Sequence, residues 1–206
     1  MMIRNIWAIG RNYADHAKEM GATISERPMI FLKAGSSASV NSTEIILPYW
    51  TQEVHHEVEL ALKLSPHLHI IEGAVALDLT ERNLQSEAKK QGTPWTLAKS
   101  FHNACAVSAF FMIRKLEEIQ DLRLRLWVND ELRQEGRTSQ MIHSPAKMLS
   151  YVKEHFPVCP GDLLLTGTPS GVGPLRAGDR VKAEIEGQIS HTWTIQVEAP
   201  PATENT

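Results

Sequence analysis

Glu57 and Glu59 stand two residues apart in VHHEVELAL (residues 54–62), inside a run whose other members are largely apolar. The continuation EVELALKL alternates as a β-strand does. A strand points residues i and i+2 to one face, so the two carboxylates lie side by side and repel. A chain tolerates this in two ways. The pair forms the solvated face of an amphipathic strand, or it points inward and needs a positive charge between its members or a proton on one of them. The inward arrangement constrains the fold most, because other segments must deliver the compensating charge.

The remaining pattern is mostly strand. IWAIG, MIFLK, EIILP, IIEGAVALDL, VSAFFMI, GDLLLTG, DRVKAEIEG and QISHTWTIQVE read as strands. RLRLWVNDELRQE alternates around Asn129-Asp130, a hairpin signal. RNYADHAKEM reads as a helix closed by Gly21. TERNLQSEAKKQ reads as one capped by Thr80 and stopped by Gly92, and SPAKMLSYVKEHF as one capped by Ser144 with Pro145 at its first position. Many strands and few helices, without regular βαβ alternation, predict an α+β, mainly β fold. Residues 1–198 are expected to form a single domain, and 199–206 a flexible tail whose prolines cannot join a sheet.

A net charge of −3 with no Lys/Arg block speaks against nucleic-acid binding, which needs a basic face. No apolar run approaches a membrane span, and MMIRNIWAIG is too short an apolar stretch for a secretory signal. Cys105 and Cys159 make neither a disulfide framework nor a CxxC site. Reduced thiols and a cytoplasmic location are therefore expected.

Several residues are candidates for chemistry. Glu57 and Glu59 suit a hard cation, which turns their repulsion into attraction. Asp78, at the end of GAVALD, is the third candidate ligand, or else a helix cap. Three carboxylates without a Cys or paired-His set select Mg²⁺ or Mn²⁺ over zinc. His55 and His56 flank the pair but stay outside the ligand set, since His56 falls on the opposite strand face. His16 and Glu19 lie at i and i+3 of a helix. They form either a surface pair or half of a water-activating dyad in which the Glu raises the basicity of the ring. Lys99, in the apolar PWTLAKSF, either snorkels or brings a cation to the carboxylates. The TGTPSGVG loop can offer backbone N–H groups to an anion.

In this order, GRNYADHAKEM, HHEVELAL, ALDLTERNLQ, PWTLAKSF, WVNDELRQEGRTSQMI and GDLLLTGTPSGVGPL resemble the fumarylacetoacetate hydrolase family. The chain looks most like its short single-domain members, the acylpyruvate hydrolase and oxaloacetate decarboxylase group. The resemblance runs from about Ile6 to Val197. It implies that Glu57, Glu59 and Asp78 ligate Mg²⁺ or Mn²⁺. His16 and Glu19 match the family's water-activating dyad, on a segment that orders over the site as a lid. Lys99 matches the lysine beside a bound 2-oxo acid, and Gln85 and Thr168 match residues that hold the substrate's oxygens. The implied fold is a mixed, curved β-sheet roll with a few peripheral helices, and the implied assembly is a homodimer. The segment between Glu59 and Asp78 is shorter than is usual in the family, and Pro66 points to a bare turn where a helix commonly sits.

The activity implied first is hydrolysis of the C–C bond of an acylpyruvate or related 2,4-diketo acid to pyruvate and a carboxylic acid. The alternatives on the same metal site are oxaloacetate decarboxylation and keto–enol isomerisation of a 2-oxo acid. A non-catalytic metal- or ligand-binding domain is the remaining reading.

Overall fold

Strands rich in Ile, Leu, Val and Ala cannot leave both faces to water, and here they pair into two large sheets that cover each other. The structure is a computed structural model that describes residues 2–19 and 26–201. The larger sheet runs Met29–Ala34, Asn5–Gly10, Leu163–Leu165, Val58–Leu64, Ile70–Asp78, Cys105–Val107, Ala38–Val40, with Phe111–Met112 added to Ile70–Asp78. It is mixed: Asn5–Gly10 lies parallel to Leu163–Leu165, and Val58–Leu64 antiparallel to Ile70–Asp78. The second sheet runs Glu131–Arg137, Arg123–Val128, Arg180–Ile185, Ile189–Val197, Glu44–Leu47. A small third sheet joins Gly173–Pro174, Val54–His56 and Thr80–Glu81. With its few short helices, this is the mainly β architecture expected.

The alternation of VELALKL decides what faces what. Val58, Leu60, Leu62 and Leu64 join Leu124, Leu126, Trp193 and Ile195 of the second sheet in one buried core. The opposite face of the first sheet is lined by small residues, among them Ala8, Ala61, Ala74 and Ala76. Glu59 shares that face with Ala61.

Several local expectations are met. Asn129 and Asp130 turn their hairpin with φ of 50° and 66°, as a type I′ turn requires. Ser144 caps helix Pro145–His155 by accepting from the Lys147 amide. Gly92 closes Arg82–Gln91 in the left-handed conformation. The turn around Pro66 is bare: the Ser65 hydroxyl accepts from the His67 and His69 amides, joining Val58–Leu64 to Ile70–Asp78 without a helix.

Others are corrected. The run 54–64 is not one strand but breaks at Glu57, where the chain leaves the small sheet for the large one. Glu81, not Thr80, caps Arg82–Gln91. Its longer side chain accepts from the Leu84 amide at 2.6 Å and the Glu53 amide at 3.0 Å, which a threonine cannot span. VSAFFMI divides into Cys105–Val107 and Phe111–Met112, because Ser108 ties its backbone and hydroxyl to Val75, and Met112 is exposed. The helix near the N-terminus is Ala14–Glu19. Gly21 and tail residues 202–206 lie outside the described residues. Among the described residues no helix is long and apolar enough to cross a membrane.

Asp162, fully buried, ties Asn5–Gly10 to the start of Leu163–Leu165. It accepts from the Asn5 amide, the Asn5 side chain, the Trp7 indole at 2.9 Å and the Cys159 amide at 2.9 Å. Asp162→Ala leaves those donors unpartnered. It is expected to destabilise the fold by about 3 kcal/mol, from a typical cost of about 1–3 kcal/mol per stranded buried group. Urea denaturation against the unaltered protein checks this; a loss under 1 kcal/mol would contradict it.

Candidate metal centre

The antiparallel register that pairs Val58 with Leu77 and Glu59 with Ala76 brings Asp78 beside Glu57. The Asp78 amide donates to the Glu57 carbonyl at 2.9 Å. Glu57 and Glu59 point to one side, as the two-residue spacing requires, and Asp78 joins them. All three are buried, and one carboxylate oxygen of each lies within 4.8 Å of the others. At an effective dielectric near 20, unit charges that far apart repel by about 3 kcal/mol per pair. Three such pairs would cancel most of an ordinary domain's net stability, about 5–15 kcal/mol. The cluster therefore cannot exist without compensation.

Both kinds of compensation open to such a pair are present. Lys99, from the short helix Thr96–Lys99, places its Nζ 2.9 Å from Glu57 Oε2 and 2.7 Å from Asp78 Oδ2. Burial works to lower its pKa, but Asp78 and Glu57 together hold it above the usual lysine range. Arg82 Nη2 reaches Glu57 Oε1 at 2.5 Å. Burial pushes the Glu57 carboxyl up, yet the charges of Lys99, Arg82 and His16 hold it well below the usual carboxylate range. Glu59 goes the other way. Burial, then Asp78 and Glu57, push its pKa well above the ordinary value, against the Gly167 N–H at 2.6 Å and Lys99. One pair is bridged by a cation, and the third carboxylate is pushed toward its protonated form.

The sequence reading missed Lys33. It is fully buried on Met29–Ala34, and its Nζ donates to Asp78 Oδ1 at 2.5 Å. Asp78 thus has a lysine on each oxygen. The signal was a charged residue closing the apolar MIFL. The contact of Arg82 with Glu57 was likewise not legible, because it depends on how distant segments pair.

The other expected residues gather here. His16, Gln85, Lys99 and Thr168 line one cavity with the three carboxylates. His16 is buried, and its Nδ1 lies 3.2 Å from Glu19 Oε2. Glu19 in turn accepts from the Gly171 amide at 3.3 Å, tying helix Ala14–Glu19 to the TGTPSGVG loop. The Gln85 side chain accepts from Arg82 Nη1 at 2.9 Å. His55 and His56 stay outside the cluster: their side chains pair with Glu53 and Gln134. The donor set is three hard oxygens without sulfur, converging on a cavity edge. It fits a divalent ion of the Mg²⁺ or Mn²⁺ type.

Two outcomes follow for metal binding. Glu57→Gln is expected to weaken Mg²⁺ binding by about a hundredfold or more, since groups merely supporting metal ligands are worth about 10–100-fold. Titration calorimetry measures this, and an unchanged affinity would remove Glu57 from the ligand set. The ion needs Glu59 ionised, whereas burial and the neighbouring carboxylates raise its pKa in the metal-free protein. Binding should therefore release a proton, and affinity should rise with pH until Glu59 ionises unaided. Calorimetry in buffers of different ionisation enthalpy counts that proton; a count of zero would contradict the arrangement.

Comparison with known proteins agrees with this geometry. Residues 5–196 match the family model described as "Fumarylacetoacetate (FAA) hydrolase C-terminal". The mouse protein "Oxaloacetate tautomerase FAHD1, mitochondrial" is 43% identical over 203 residues, covering 94% of this chain and 92% of its own. The rice protein of the same name is 41% identical over 204 residues, covering 93% and 89%. The crystal structure of fumarylpyruvate hydrolase from Pseudomonas aeruginosa, in complex with Mn²⁺ and pyruvate, superposes with a TM-score of 0.88 at 30% identity, covering 95% and 91% of the two chains. Together with the acidic cluster, these matches support a divalent-metal cofactor and metal-dependent catalysis on small 2-oxo or diketo acids.

The expectation of a cytoplasmic location is corrected, because the mouse and rice relatives are named as mitochondrial. Reduced thiols are compatible with any reducing compartment. Cysteine usage therefore does not choose among such compartments.

Proposed function

The chain belongs to the fumarylacetoacetate hydrolase family, and from that premise we propose that it is a metal-dependent tautomerase of oxaloacetate, interconverting its keto and enol forms. The observation that carries this reading is the buried trio Glu57, Glu59 and Asp78 sharing one cavity with His16. The names of the mouse and rice relatives favour tautomerisation over the C–C bond hydrolysis that the motifs suggested first.

Glu57, Glu59 and Asp78 would hold a divalent ion, which would supply Lewis acidity toward the keto oxygen of a bound 2-oxo acid. The protein's own groups do the rest. Glu19 engages Nδ1 of His16, which leaves Nε2 to take the proton from C3 and return it on the reverse path. Lys99, buried and held charged by Glu57 and Asp78, keeps positive charge where the keto oxygen gains electrons. Gln85 and Thr168 orient the 2-oxo acid from the cavity wall. Arg11 and Arg82 line the same cavity and suit the second carboxylate of oxaloacetate. Tautomerisation moves only a proton, so helix Ala14–Glu19 serves as the proton-transfer wall and as a cover that limits water. Hydrolysis would require the same dyad to activate a water molecule.

We take residues 1–198 as one catalytic domain. It pairs as a homodimer, as the family resemblance implies; exposed Leu32, Leu97 and Met112 leave apolar surface for that contact.

Enol oxaloacetate absorbs in the ultraviolet and its keto form does so weakly, so the conversion is followed directly. The expected result is Mg²⁺- or Mn²⁺-dependent acceleration that a chelator abolishes. Cleavage of acylpyruvates should be far slower. His16→Ala is expected to lower tautomerase kcat by about 10²–10⁴-fold, the usual contribution of a positioned acid–base group. Efficient acylpyruvate cleavage with no tautomerisation would reinstate the hydrolase reading, and full activity of His16→Ala would remove the dyad from the mechanism.

A further inference from the structure

Gln134 lies on the hairpin strand Glu131–Arg137, outside the residues so far given a role, and is 1% exposed. Its side chain uses its whole hydrogen-bonding capacity. Oε1 accepts from the Val58 amide at 3.0 Å and from His56 Nδ1 at 2.9 Å. Nε2 donates to the Pro169 carbonyl at 2.9 Å and to Thr168 Oγ1 at 2.8 Å. An amide N–H can only donate and a proline carbonyl can only accept, so the orientation of the Gln134 amide is fixed by its partners. Two consequences follow. His56 carries a proton on Nδ1. Thr168 Oγ1 already receives a hydrogen bond, so its own hydrogen is free to be given elsewhere, and Thr168 lines the cavity of the acidic cluster.

The backbone is shaped for this contact. The pairing of Arg123–Val128 with Glu131–Arg137 shifts between Leu126 and Trp127: Trp127 faces Leu132 while Leu126 faces Gln134, leaving Arg133 as the extra residue of a bulge. In an unbroken strand Leu132 and Gln134 would share a face. With the bulge, Leu132 is 46% exposed and Gln134 is buried. The hairpin and the TGTPSGVG loop also touch where only glycine fits. A Cβ on Gly136 would come within 2.6 Å of the Pro169 side chain, and one on Gly171 within 2.1 Å of the Arg133 carbonyl.

We propose that Gln134 is a positioning residue that commits the Thr168 hydroxyl to donating its hydrogen into the active cavity, toward an oxygen of the bound 2-oxo acid. The same side chain braces the backbone between the two metal-bearing glutamates, through Val58, against the loop that carries Thr168. The inference rests on the reading of Thr168 as a substrate-binding residue, and the test separates the two.

A double-mutant cycle on KM for oxaloacetate, with Gln134→Met and Thr168→Val, isolates the coupling. Thr168→Val alone should raise KM about tenfold, and Gln134→Met alone about fivefold with kcat changed less, the scale of one ordinary hydrogen bond lost or misdirected. In the Thr168→Val background, Gln134→Met should change KM by less than twofold. A structural brace alone would give the same fold-change in both backgrounds, and that result overturns the role of Gln134 while leaving Thr168 in place. An unchanged KM in Thr168→Val overturns the substrate role of Thr168 and the proposal with it. Should Gln134→Met not fold, the side-chain amide signals of Gln134 in ¹⁵N-labelled protein carry the test. Pyruvate added with Mg²⁺ should shift them in the unaltered protein and not in Thr168→Val; no shift in the unaltered protein overturns the proposal.

Discussion

Three carboxylates held within 4.8 Å of one another inside a protein are the constraint around which this molecule is arranged. Their mutual repulsion is comparable to the net stability of a whole domain, so the fold must deliver positive charge to them. It does so from three separate segments: Lys33 from a strand near the N-terminus, Arg82 from the start of a helix, and Lys99 from a short turn of helix. Burial and its two acidic neighbours still raise the pKa of Glu59 well above the ordinary value. A divalent ion would favour the ionised form of Glu59, which is why metal binding and protonation are coupled here.

The large sheet makes the cluster possible through register. Glu57 and Glu59 share a face because they lie two apart, and Asp78 arrives beside them because its strand pairs antiparallel through a five-residue turn, 65–69. The other strand face anchors the core through Leu60 and Leu62. A one-residue slip would turn the carboxylates into that core. The break at Glu57, where the chain passes from the small sheet to the large one, then sets the acidic cluster at the junction of the two, next to the loop that carries Thr168.

Much of this was legible in the sequence because the informative patterns are local. Period-two alternation gave the strands, Asn129-Asp130 the hairpin, Ser144-Pro145 and Gly92 the helix ends. The spacing of Glu57 and Glu59 raised the question of a compensating charge before any geometry was known. What was not legible depends on contacts between distant segments. Lys33 and Asp78 are 45 residues apart, and nothing in MIFLK says which acid its lysine will meet. Gln134 reads as one more polar residue of a hairpin; the bulge at Arg133 that turns it inward appears only in the pairing with Arg123–Val128. Glu81 displaced Thr80 as helix cap for a similar reason, since the amides it gathers include one from Glu53.

The most direct measurement is anomalous diffraction from crystals grown with Mn²⁺. The expected result is a single strong peak at the edge of the active cavity, within coordination distance, about 2–2.6 Å, of one oxygen from each of Glu57, Glu59 and Asp78. A map with no peak there, and with Lys99 still bridging Glu57 and Asp78 at saturating Mn²⁺, would contradict the claim that these carboxylates are gathered to hold a metal.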